Sequence, residues 1–218
     1  MRIRVIDTET TGLDTDARMV QIGACDVVDG IVGRHYERVV NPGIPIPPEA
    51  SAIHNITDED VANAPPFDPD KLARGVDVFA AHNAEFDRHF FNPPGSTWIC
   101  TLKAARRVWP DAPSHKNAVL RYWLGLKVDR GIADFAHSAG ADAYVTAHIL
   151  VALMNAGATV ADMIEWTMLP SLLPRVYFGK HNGAKWSEVP TDYLEWLTRQ
   201  NPDVDVKFTI EEEFRRRG

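Results

Sequence analysis

The sequence predicts an α/β domain, a mixed sheet flanked by helices, followed by a small C-terminal hairpin-helix module. Three observations predict it. Three strand-like segments with a hairpin signal open the chain, strand and helix patterns alternate after them, and a proline-bounded stretch sets off an aromatic-rich tail. At 218 residues and 45% hydrophobic, the chain is long enough for one packed domain and an appendage.

Residues 2–9 (RIRVIDTE) read as the first strand, and MVQIGACDVV from Met19 alternates as the second. Asp29-Gly30 turns it into a third through residues 34–40, because Asp-Gly between apolar runs favours a tight hairpin. The connection NPGIPIPPEA cannot continue a central strand, since proline lacks the amide donor. It leads into Ile53-His54-Asn55-Ile56-Thr57, where Thr57 is placed to cap a short helix beginning DEDVA. Residues 76–81 form a buried strand, and residues 84–91, 102–108, 117–124 and 140–154 are helical, the last being the longest. The division expected is a domain over 1–156, a helix and linker over 157–174 that includes PSLLP, and a module over 175–218. In that module residues 177–186 read as a hairpin around Asn182-Gly183, and residues 191–200 as a helix.

Residues 1–7 reach a carboxylate before any apolar stretch long enough for a signal peptide, and no run approaches membrane-spanning length. A soluble, cytoplasmic protein without a membrane partner is expected. Cys25 and Cys100 sit in apolar surroundings with no CxxC or Cys/His spacing, so buried thiols are expected rather than a disulfide framework or a zinc site. The net charge of -7 argues against a polyanionic partner until its distribution is considered. Lys103, Arg106, Arg107, Lys116, Arg121, Lys127 and Arg130 face only Asp111 and Asp129 in the same stretch. That excess either tracks a phosphate backbone or is an ordinary solvated face.

Asp7 and Glu9 are two apart on a strand, so both carboxylates project from one face of the sheet. Paired acids there are costly unless a cation balances them, which makes the site a metal centre or a solvated edge. The following Thr10-Thr11-Gly12 favours the first reading, since glycine permits a turn that a nucleotide can approach closely. Asp87, in HNAEFDRHF, lies early in a helix, where the helix dipole alone accounts for an aspartate. Asp142 opens the longest helix, and His137 precedes it by five residues across small side chains, close enough to overhang whatever Asp142 lines.

Taken in order, D-x-E on the first strand, Asp on a helix after a central strand, and H-x4-D at a late helix start resemble the DEDDh family of 3′ to 5′ exonucleases. That family includes the proofreading epsilon subunit of bacterial replicative polymerase. The resemblance spans residues 1 to 155 or so and includes the Ile53 to Thr57 stretch, where the family often has glycine in place of Asn55. Trp98-Ile99-Cys100-Thr101, Ala105-Arg106-Arg107-Val108-Trp109-Pro110 and Phe178-Gly179-Lys180 with Gly183 are similar to the exodeoxyribonuclease X branch. The resemblance implies a ribonuclease-H-like fold and a DNA substrate cut from its 3′ end to nucleoside 5′-monophosphates, in repair or proofreading.

Hard oxygen donors without clustered histidines or cysteines suit Mg²⁺ or Mn²⁺, and four carboxylates match the charge of two such ions. Asp7, Glu9, Asp87 and Asp142 are the expected ligands, with Asp7 shared, and His137 is the expected general base. Candidate substrate contacts are Thr8, Thr10, Gly12, Leu13, His54, Asn83, Lys103, Arg106 and Arg107. Leu13 sits at a loop tip as either a wedge against a terminal base or a cap on the core. Tyr177, Phe178, Trp186, Tyr193 and Trp196, with Lys180 and Lys185, form either a surface for single strands or the core of the module. Two rivals stand beside a DNA exonuclease: an RNA-trimming enzyme of the same fold, and an inert nucleic-acid-binding module. Nothing in the motif reads the sugar 2′ position.

Overall fold

A computed structural model describes residues 1–218 except Pro66 and Ala136. Five strands form one sheet in the order β3-β2-β1-β4-β5. β1 (Arg2–Thr10), β2 (Met19–Val28) and β3 (Ile31–Val39) are an antiparallel meander, and β4 (Val78–Ala81) and β5 (Trp98–Cys100) add to β1 in parallel. The expected third strand starts three residues early. Asp29 and Gly30 both take positive φ, 51° and 82°, the two-residue turn that matches strand twist and lets pairing resume at once. β5 has only three residues and went unread, because so short an apolar run carries no period.

The proline-rich connection holds an unexpected helix, α1 (Pro48–His54), which places proline at the first helical position, where no amide partner is needed. It ends on Asn55 in the left-handed conformation, φ 59°, a position that glycine or asparagine fills with little strain. This accounts for Asn55 standing where glycine is common. α2 (Asp58–Val61) follows with Thr57 as its cap, as expected, then the short α3 (Pro69–Ala73).

α4 (Ala84–Phe90), α5 (Thr101–Val108), α6 (Asn117–Trp123), α7 (Arg130–Ala133), α8 (Ala139–Asn155) and α9 (Val160–Met168) cover the sheet. One face, with Ile3, Val5, Ala80 and Ile99, packs on Ile149, Leu150 and Leu153 of α8. The other face, with Ile6, Ile22, Phe79 and Trp98, packs on Ala84 and Phe91. α8 is apolar nearly all round because it is a core helix. Among the described residues no single helix is long and apolar enough to cross a membrane. Both cysteines are buried free thiols.

The C-terminal residues gather around a cluster of their own, Val176, Trp186, Leu194, Leu197, Val206 and Ile210. The expected hairpin over 177–186 is absent. Asn182 (φ −53°, ψ 128°) and Gly183 (φ 88°) form a type II turn closed by the Ala184 amide on the His181 carbonyl at 3.0 Å. That turn splays the flanking chain, so pairing shrinks to a single bridge, Arg175 to Lys185, which encloses one 3₁₀ turn (Gly179–His181) and precedes another (Trp186–Glu188). α10 (Thr191–Thr198) was expected, whereas α11 (Val204–Arg217) was not. The PSLLP segment is no free linker: Ser171 N–H donates to Asp205 Oδ1 (2.8 Å) and Leu173 N–H to Thr209 Oγ1 (3.0 Å), both on α11.

Candidate active site

The parallel pair β1 and β4 ends at one edge of the sheet, where the chain leaves for a turn and for α4. Ligands of open α/β sheets gather at such carboxyl ends. Asp7 and Glu9 lie on the face of β1 that also carries Ile3 and Val5, beneath α8. Directly across the strand pair, Asp7 meets Gly23 and Glu9 meets Gln21 on β2. These two partners seat α8. A Cβ on Gly23 would lie 2.0 Å from the Ala139 carbonyl oxygen, so only glycine admits the helix start at this depth. Gln21 Oε1 accepts the Ala139 amide at 2.8 Å and fixes the same turn. One turn on, Asp142 stands over the β1 carboxylates.

His137 lies exposed just before that helix in the left-handed conformation, φ 64°. Its own amide donates to Asp142 Oδ2 at 3.0 Å, which pins the loop to the helix. Glu9, His137 and Asp142 each offer an atom within 4.8 Å of the others. From the opposite side α4 brings Asp87, buried, with Oδ1 accepting the Thr8 hydroxyl at 2.9 Å.

All four carboxylates are pushed up in pKa. Burial is the largest cause for each. Asp7 rises well above the usual range, driven further by Asp87, Asp142 and Glu9, which makes it the electrostatic centre of the group. Glu9 is raised to about 7, with Asp142 and Asp87 adding to burial. Asp87 is also raised to about 7, against the pull of the Thr8 hydroxyl. Asp142 is raised less, held down by the His137 amide. Among the described residues no lysine or arginine pairs with any of the four. Crowded, desolvated oxygen donors without a cationic side chain fit divalent metal ions, whose charge removes the repulsion that raises these pKa values.

The remaining expected contacts divide. Leu13 is 88% exposed at the tip of the turn after β1. With Asn83 and Phe86 it lines a trough of about 310 Å³ at the start of α4. Thr8 and Thr10 are buried and face inward: Thr8 orients Asp87, and Thr10 Oγ1 donates to the Gly12 carbonyl at 2.6 Å. Gly12 does not take positive φ, and a Cβ there meets open space, so the turn itself does not require glycine. His54 is buried below the end of β1, its Nδ1 accepting the Ile56 amide at 3.0 Å and its ring facing the Thr10 carbonyl.

The expected basic face on α5 breaks up. Lys103 Nζ donates to the carbonyls of Thr167 (3.0 Å) and Leu169 (2.6 Å), closing the end of α9. The Arg107 guanidinium lies 5.6 Å from the ring centres of Trp166 and of Phe208, joining α9 to α11. Arg106 lines two open grooves, one of which it shares with Arg107. Gln21 and Gly23 were missed, since their task depends on contacts more than a hundred residues away in sequence.

Among known proteins, residues 5–150 match the exonuclease family RNase_T. The chain is 38% identical over 201 residues to Exodeoxyribonuclease 10 of Escherichia coli (strain K12), covering 89% of this chain and 90% of that one. It is 32% identical over 187 residues to DNA polymerase III subunit epsilon of Rickettsia typhi (strain ATCC VR-144 / Wilmington), covering 76% and 79% respectively. A solved structure of exonuclease X in complex with 5′ overhanging duplex DNA matches with a TM-score of 0.67 and 37% identity, over 76% of this chain and 99% of that one.

Proposed function

The chain belongs to the RNase_T exonuclease family as a 3′ to 5′ exonuclease of the DEDDh type, and from that premise we propose that it hydrolyses DNA from the 3′ end, using two Mg²⁺ or Mn²⁺ ions, to release nucleoside 5′-monophosphates. The observation that carries this reading is the convergence of Asp7, Glu9, Asp87 and Asp142 with His137 at one sheet edge. The choice of DNA rests on the 38% identity to an exodeoxyribonuclease.

Asp7, Glu9, Asp87 and Asp142 would hold the metal, with Asp7, repelled by all three others, as the shared ligand. When bound, the ions supply positive charge to the attacking water and to the leaving 3′ oxygen. His137 takes the proton of the water on a ring nitrogen. Its ring stands over Glu9 and Asp142 from the solvent side, and the bond from its amide to Asp142 keeps the loop from swinging away. Thr8 holds the Asp87 carboxylate in place. Leu13, Phe86 and Phe90 give the trough an apolar surface for the terminal base, rimmed by the polar side chains of Asn83, Asp14 and Glu85.

Matched DNA and RNA strands, single and double, labelled so that the 3′-terminal nucleotide can be followed, test the reading in MgCl₂ and in excess chelator. Stepwise release of mononucleotides from the DNA 3′ end, abolished by chelation, is expected. Internal cleavage, full activity under chelation, or faster digestion of RNA than of DNA would overturn it.

A further inference from the structure

A groove of about 640 Å³ runs between the nuclease core and the C-terminal residues, lined on one side by Arg106 and Lys116 and on the other by Arg175 and Tyr177. Its wall includes His82, the chain neighbour of Asn83, which lines the trough at the start of α4. His82 leaves the end of β4, five residues before Asp87, and its Nε2 bonds the His115 carbonyl at 2.6 Å. Two residues on, Asn117 Nδ2 donates at 2.8 Å to Thr146 Oγ1 on α8, one turn past Asp142. The groove is thereby tied to both the α4 and the α8 sides of the site.

We propose that this groove binds the substrate strand on the 5′ side of the bond being cut, so that the C-terminal residues form one wall of the nucleic-acid site. This rests on the exonuclease reading above. An enzyme that removes the last nucleotide has nucleic acid extending from its site in one chain direction only, and a cationic groove whose His82 adjoins Asn83 of the trough suits that strand. Arg106 and Lys116 make no ion pair among the described residues, and Arg175 spends one guanidinium nitrogen on the Gly183 carbonyl. Asp203 and Asp205 also line this wall and stay charged, so three cations against two acids leave an excess of one positive charge. Asp203 accepts the Tyr177 hydroxyl (2.6 Å) and the Val206 amide (2.9 Å), and Asp205 accepts the Ser171 amide. The Tyr177 ring is 57% exposed yet held by that hydroxyl bond, a fixed surface on which a base can stack. Phosphates then meet Arg106, Lys116 and Arg175.

The test is steady-state digestion of single-stranded DNA from two to sixteen nucleotides by the full chain and by the variants Arg175→Glu and Lys116→Glu, one from each wall and both at exposed positions. In the unaltered protein KM falls as the strand lengthens. Each variant raises KM for the longest strand severalfold, flattens the length dependence, and lowers the slope of log KM against log salt by about 0.7, the share of one phosphate contact on a single strand. A KM independent of length in the unaltered protein, or variants with unchanged KM and salt slope on the longest strand, overturns the groove while leaving the exonuclease intact. Absence of digestion at every length by the unaltered protein would count against the exonuclease reading instead.

Discussion

His137 differs from the other seven histidines in its backbone as well as its neighbours. A non-glycine residue in the left-handed region costs energy, and here the Asp142 carboxylate that receives the His137 amide offsets it. The strain places an exposed imidazole over Glu9 and Asp142 instead of leaving it in solvent. Replacing His137 with alanine removes the proposed base and leaves the four carboxylates and the amide bond. Turnover should fall by roughly 10²–10⁴, the usual share of a general base, with KM for DNA and the Mg²⁺ concentration for half-maximal rate little changed. Initial rates under saturating Mg²⁺ check this, and wild-type turnover in the variant would reduce His137 to a loop residue. The five residues of this cluster were legible in sequence because each belongs to a short pattern with fixed spacing. Thr8, Thr10 and His54, expected as substrate contacts, are buried and bonded to Asp87, Gly12 and Ile56, since strand alternation sets which face a side chain takes and not what it bonds there.

At the scale of elements, the site depends on how deeply α8 sits against β2, and that depth is set by a glycine carrying no chemistry. A methyl group on Gly23 would meet the Ala139 backbone at 2.0 Å, and backbone at the start of a packed helix cannot yield as a flexible side-chain end can. Gly23→Ala should therefore push the helix start outward, carrying Asp142 and His137 away from Asp7 and Glu9. Overpacking of this kind costs about 1–3 kcal/mol of stability. A displacement near 1 Å at the reacting groups can cost about 10² in rate. Thermal unfolding and turnover, measured beside Gly12→Ala as a stability control in open space, check the pair. Equal stability and equal turnover in Gly23→Ala and the parent would remove Gly23 from the account. Alternation marked β1 and β2, and the Asp29-Gly30 turn marked their hairpin with β3. α11 escaped because its apolar stripe is narrow: Val206, Ile210 and Phe214 face the small core among charged neighbours, and Glu213 is buried only because Arg216 and Arg217 pair with it. Arg107 and Lys103 escaped for the opposite reason, since a basic helix face reads alike whether it meets phosphate, carbonyl oxygens or aromatic rings.

For the molecule as a whole, the metal site is a source of instability that a cation relieves. Glu9 and Asp87 keep their protons to about pH 7 in the folded chain, whereas an unfolded carboxylate loses its proton near 4. Between those limits the folded state binds more protons than the unfolded one, so this contribution to stability falls as pH rises through the interval and stays lost above it. His82 acts in the other direction. Burial lowers its pKa to about 4, so the unfolded chain takes up its proton first and stability from that group is lost on acidification. Comparing metal-free and Mg²⁺-loaded protein at one pH cancels the His82 contribution, which is the same in both, and isolates the carboxylates. At pH 8 Glu9 and Asp87 are charged in the metal-free protein and repel their neighbours, and Mg²⁺ displaces no proton from them. At pH 5.5 Mg²⁺ must displace their protons, so it binds more weakly and stabilises less. The rise in Tm on adding a fixed excess of MgCl₂ should thus be clearly larger at pH 8 than at pH 5.5, and titration calorimetry near pH 6 in buffers of different ionisation enthalpy should register proton release. Asp7→Asn, which removes the most strongly repelled carboxylate, should raise metal-free Tm at pH 8 and shrink the Mg²⁺ increment. Equal increments at both pH values, with no proton release, would mean that these carboxylates are not the cation's ligands.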